Sequence, residues 1–147
     1  MALINIERDM LSDLVVHEID PSVGYARRVI ALSDTATAFP MGTVVKRTIA
    51  SGQLDQGAQF AKAAVGDLVA TNEFAVVFGD AFGCKETFTT SGNAGDKAVA
   101  FVRGEVILKD ELLMKSLSIT DRTSADYKAL KALLEKQGII IETTLGA

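Results

Sequence analysis

The stretch from Thr123 to Ile141 constrains the fold more than any other part of the chain. Tyr127, Leu130, Leu133 and Leu134 recur at helical spacing on one face, while Lys128, Lys131, Glu135 and Lys136 lie mostly on the other. Thr123 or Ser124 is placed to cap the first turn, and with Thr123 as cap Asp126 sits near the third helical position. Gly138 stops the helix, because glycine adopts the left-handed conformation at a helix end without steric penalty. Ile139, Ile140 and Ile141 follow at once, and such a β-branched run favours a strand. A helix with one apolar stripe that leads directly into a strand is expected to lie on a sheet.

The upstream pattern supplies that sheet. Val23–Leu32 (VGYARRVIAL) and Gly42–Ile49 (GTVVKRTI) predict strands, separated by a threonine-rich loop over 33–38 and a turn at Pro40-Met41-Gly42. Gln59–Val65 reads as a short helix or part of a loop, and Leu68–Thr71 and Phe74–Phe78 read as short strands. Cys84–Thr90 alternates, and the turn cluster Ser91–Gly95 leads into a long strand over Ala98–Leu108 with Gly104 as a bulge site. Asp110 is placed to cap a short helix over Glu111–Leu117. A length of 147 residues, 48% hydrophobic, suits one domain with a real core; with aromatics at 6% and no Trp, that core is built mainly from aliphatic residues.

Charge and motifs exclude several functions. The net charge of −4 and the scattered basic residues argue against a nucleic-acid partner, which calls for a basic surface to displace counterions. Arg27-Arg28 and Lys46-Arg47 are the basic pairs, and within strands they read as solvated edge positions. The single Cys84 has no partner for an internal disulfide, and the single His17 is distant from it in sequence, so a Cys–His nucleophile is not expected. One Cys and one His are too few for a zinc site, and no calcium loop is present; no metal or other cofactor is expected. The stretches 79–85 and 92–97 miss the phosphate-loop pattern and read as turns. No serine sits in a Gly-x-Ser-x-Gly elbow, and the expected role is not enzymatic.

Residues 1–10, MALINIERDM, lack the basic and apolar regions of a signal peptide, and no apolar run is long enough to span a membrane. A soluble protein made in the cytoplasm is expected, without a membrane partner. Residues 1–20 are apolar but charge-spotted, without a clean period, and end at Asp20-Pro21. They form either a frayed or docked end of the domain or an arm that pairs with a partner.

The order of segments resembles the lambda-type phage head decoration family. An irregular arm leads into a strand with a Tyr/Arg patch, here Gly24-Tyr25-Ala26-Arg27-Arg28-Val29-Ile30, then into Phe39-Pro40-Met41-Gly42-Thr43-Val44-Val45. The C-terminal part is similar as well: Val102-Arg103-Gly104-Glu105-Val106-Ile107, then Leu112-Leu113, the helix from Tyr127 to Gln137, and Gly138-Ile139-Ile140-Ile141. The resemblance covers about two-thirds of the chain and departs over Ser51–Lys97. It implies a mainly β (α+β) domain, a compact β-barrel or β-tulip over 21–147, with one C-terminal helix and an extended arm over 1–20. It further implies a homotrimer on the outside of the expanded head, bound to the major capsid protein and located in the virion. Leu3, Ile4, Ile6, Leu11, Leu14 and Val16 are the expected apolar anchors of the arm. A small-molecule-binding β-barrel and a Ser-Lys hydrolase are the alternatives.

Overall fold

A computed structural model describes residues 11–19, 25–48, 59–80 and 87–143. The chain is mainly β. One helical turn, α1 (Leu11–Leu14), precedes β1 (Val15–Glu18), β2 (Arg27–Leu32), β3 (Ala38–Phe39), β4 (Thr43–Thr48) and β5 (Ala61–Lys62). β6 (Asn72–Asp80), β7 (Phe88–Thr89), β8 (Asp96–Phe101) and β9 (Val106–Lys109) follow, then α2 (Asp110–Leu117), α3 (Ala125–Lys136) and β10 (Ile139–Glu142).

The largest sheet has five strands in the order β2-β8-β6-β4-β5, all antiparallel. Its middle strand β6 is apolar on both sides. Phe74, Val76 and Phe78 point into one core together with Val44 and Phe101. Ala75 and Val77 point into a second core with Ile30, Leu32, Val45, Ala98 and Ala100. Such a run replaces the alternating pattern of a half-exposed strand, because both faces are covered. The expected break between Leu68–Thr71 and Phe74–Phe78 falls differently: 68–71 form turns, and one nine-residue strand begins at Asn72.

The first core is closed by α2, α3 and a second, three-stranded sheet ordered β1-β9-β10. Leu14, Leu108, Leu113, Leu130, Leu134, Ile139 and Ile141 are fully buried there. The second core lies inside the curl of the five-stranded sheet. Small residues on β6 and β8 leave room for Phe39 and Phe60, and Phe39 stacks on Phe88 at 5.6 Å between centroids. The curl brings the sheet's ends together at a single parallel bridge, Leu32 to Phe60. One bridge is not a ladder, so the expected β-barrel is a rolled sheet without full closure.

The expected long strand over Ala98–Leu108 is two strands in different sheets. β8 ends at Phe101 and β9 begins at Val106, and the chain crosses between them at Gly104. Gly104 N–H donates to the Gln137 carbonyl at 2.8 Å, and a Cβ on Gly104 would overlap the Gly138 carbonyl. Gly138, at φ +81, is the predicted helix stop, and its own Cβ position lies 2.9 Å from Gly104 Cα. Ser124, one of the two caps expected, accepts from Tyr127 N–H at 3.2 Å. β10 then pairs parallel with β9. Gly104→Ala is therefore expected to lower stability by about 3 kcal/mol, the usual cost of overpacking a closed contact. Urea unfolding checks this; a loss no larger than that of an exposed Gly92→Ala control refutes the contact.

Candidate interaction surface

In the three-stranded sheet, Val106, Leu108, Ile139 and Ile141 face the core, so their neighbours face outward. Ile107 stands opposite both His17 on β1 and Ile140 on β10. The register slips between Val15 and His17, and Val16 lies in that irregularity with 48% of its surface exposed. Ile140 is 41% exposed and His17 is exposed. Ile107, between them, is half-buried. This row borders β1, an edge strand whose outer side has no partner strand among the described residues.

β1 is anchored at its end. Glu18 is buried and receives Arg27 in a bidentate pair, Nε at 2.8 Å and Nη2 at 2.7 Å. The same guanidinium lies over the Phe78 and Phe101 rings at 5.0 and 5.6 Å. Ile19 N–H donates to the Glu105 carbonyl at 3.0 Å.

The expected arm residues divide. Leu3, Ile4 and Ile6 lie outside the described residues. Leu11 opens α1. Leu14 is fully buried in the first core, so it packs the domain and is not a free anchor. Val16, by contrast, stands exposed at the sheet edge. Of the expected arm over 1–20, residues 11–19 supply α1 and β1, which pairs with β9, and Leu14 packs in the first core. Ile107 and Ile140 were not among the expected contact residues; the register that aligns them with His17 joins segments about 90 and 120 residues apart.

The clearest cluster of polar chemistry is elsewhere. Asp110 is the first residue of α2 and is fully buried. It is not the cap that its position suggests; that place belongs to Lys109, and the Asp110 carboxylate instead collects donors from three distant segments. Arg122 supplies Nε at 2.8 Å and Nη2 at 2.9 Å, Tyr127 its hydroxyl at 2.7 Å, and Thr143 its hydroxyl at 2.9 Å. Burial on its own would raise the Asp110 carboxyl, but the bonds from Arg122, Tyr127 and Thr143 and the charge of Arg122 together hold it below the ordinary value. Tyr127 is pushed up, first by burial and then by its bond to Asp110. The carboxylate has four donors and no exposed surface, so it ties α2, α3 and the end of β10 together rather than presenting itself to a substrate.

Comparison with protein-family models, with curated proteins and with solved structures found no match. Among the described residues no group of three or more His, Cys, Asp or Glu is arranged to hold a metal ion, and no helix is long and apolar enough to cross a membrane.

Asp110→Asn, which leaves Arg122 without its counter-charge, is expected to cost about 3 kcal/mol at neutral pH. A carboxyl held low in the folded state contributes fully above its unfolded value, 3.8, and loses that contribution as the pH falls through the folded value. The gap between wild type and variant in urea unfolding should therefore narrow in acid; a gap independent of pH would remove the charge from the explanation.

Proposed function

We propose that this protein is a structural capsid decoration protein that binds the outside of an expanded phage head as a homotrimer and stabilises it against internal DNA pressure. The observation that carries the reading is the entry of the N-terminal segment into the domain. It arrives through α1 and becomes β1, an edge strand with Val16 and Ile140 exposed and Ile107 half-buried between them. The order of segments that resembles the decoration family and the β-rich fold with its C-terminal helix support the same role.

The physics suits a cement. An extended arm gains main-chain hydrogen bonds at a sheet edge, and alternate side chains enter pockets. In this reading Leu3, Ile4 and Ile6 contact the major capsid protein, while Val16 extends the contact onto the domain. Three arms held in one trimer raise one another's effective concentration, so modest single contacts add up to durable attachment. Preference for the expanded lattice over the unexpanded one is what lets such binding stabilise the mature head. The role requires no catalysis and no cofactor.

The purified protein is expected to co-sediment saturably with expanded, undecorated heads of its own phage and not with unexpanded procapsids. Removing residues 1–10, which leaves Leu14 in the core, should abolish binding while the domain still melts cooperatively. Absence of binding by the intact protein overturns the decoration role, and full binding by the truncated one overturns the arm.

A further inference from the structure

The two most exposed large apolar side chains among the described residues, Val29 at 59% and Tyr25 at 51%, both belong to the β2 side of the five-stranded sheet. Val29 stands opposite Val99, and Ala31 opposite Lys97. Val102 N–H donates to the Ala26 carbonyl at 3.0 Å, which continues the same register and brings Tyr25 beside Arg103. The Arg103 guanidinium lies over the Tyr25 ring at 4.3 Å, and its Nε donates to the Tyr25 carbonyl at 2.9 Å. An apolar step, Val29 and Val99, is thus bracketed by cations at Lys97 and Arg103, along about 20 Å of strand.

A third cation, Arg28, is exposed at the same edge on the opposite face of the sheet. Neither Arg28 nor Lys97 makes an ion pair or side-chain hydrogen bond among the described residues. The nearby carboxylates are largely engaged: Glu18 on Arg27, and Asp96 on the Ser91 N–H and hydroxyl. Glu105 is the exposed exception. A strip of positive charge therefore stands out on a chain whose net charge is −4.

Among the described residues the backbone of this strip also has no partner along part of its outer edge. The Ala31 carbonyl accepts from Phe60 N–H at 2.9 Å, so Ala31 turns its peptide groups away from β8. Alternation along the strand turns those of Val29 and Arg27 to the same outer edge, and among the described residues no further bond reaches them.

We infer that the outer edge of β2 docks an extended acidic segment of a partner polypeptide. The segment adds as a strand beside Arg27–Val29, sets an apolar side chain on Val29 and Val99, places carboxylates two residues to either side of it toward Lys97 and Arg103, and turns a carboxylate on its other face toward Arg28. Tyr and Arg at the ends are the residue types that carry interface energy, and the main-chain edge selects a peptide over a phosphate polymer. This inference does not rest on the capsid reading, because β2 and β1 are edges of different sheets.

The test is an amide NMR titration of the full chain with a blocked peptide in which a single valine is flanked on each side by two glutamates. A lysine–valine peptide and a single-stranded oligothymidylate are titrated alongside. Shifts confined to β2 and Val99 with the glutamate peptide alone are expected. Arg28→Glu combined with Lys97→Glu, at unchanged melting temperature, should weaken binding about tenfold or more, as opposed charge turned to like charge does at an interface. No shifts along β2, equal response to the lysine peptide, oligothymidylate binding at the strip, or an unchanged affinity in the double variant would each overturn the inference.

Discussion

Because β6 is apolar on both faces from Phe74 to Phe78, both faces of the five-stranded sheet have to be covered, and the two coverings differ in kind. One face receives separate elements: α2, α3 and the three-stranded sheet, which bring large aliphatic side chains to it. The other face is covered by the sheet itself. Alanines at 75, 98 and 100 are small, and Phe39 and Phe60 fill the space beside them. Arg47 lies over Phe60 at 4.5 Å, so the aromatic that joins the ends of the roll is also covered from outside. The small sheet, with its exposed row, exists because the first face needed a second layer.

That second layer is fastened by polar groups where apolar packing runs out. Glu18 and Arg27 fasten β1 to β2 at one side of the first core. Asp110 fastens α2, α3 and the residue after β10 at the other. Gln137 adds a third tie: its amide accepts from Phe74 N–H and donates to the Phe74 and Val102 carbonyls, which joins the end of α3 to β6 and to the start of the crossing at Gly104. Each tie satisfies polar groups that burial would otherwise leave without partners, and a buried polar group left unpaired costs far more than its bond gains.

The elements governed by local pattern were legible in the sequence. The α3 helix, its Ser124 cap, its Gly138 stop and the strand after it follow from spacing within one short stretch. β2 and β4 follow from β-branched runs. What escaped depends on partners far along the chain. Ala98–Leu108 reads as one strand because nothing local marks a change of sheet; the Gly104 contact with Gly138 that marks it lies 34 residues away. Asp110 reads as a cap because it sits at a helix start, while its donors come from Arg122, Tyr127 and Thr143. Of the exposed row, Val16 was legible as apolar in a charged segment, and Leu14 looked the same although it is core. One turn of helix and a slipped register separate their fates, and neither leaves a period to read.

The strand order of the small sheet has a temporal meaning. β9 is flanked by β1 from the beginning of the described chain and by β10 from its end. During synthesis from the N-terminus, β1 has no β9 to pair with until about 90 further residues have emerged, and Ile139 and Ile141 come later still. Until then the side of β2, β4 and β6 that this layer will cover faces water. The three-stranded sheet, and the edge next to the N-terminal segment, form only once Ile139–Glu142 has emerged. A ribosome-bound fragment that stops before Gly138 would thus expose apolar side chains that the folded domain hides.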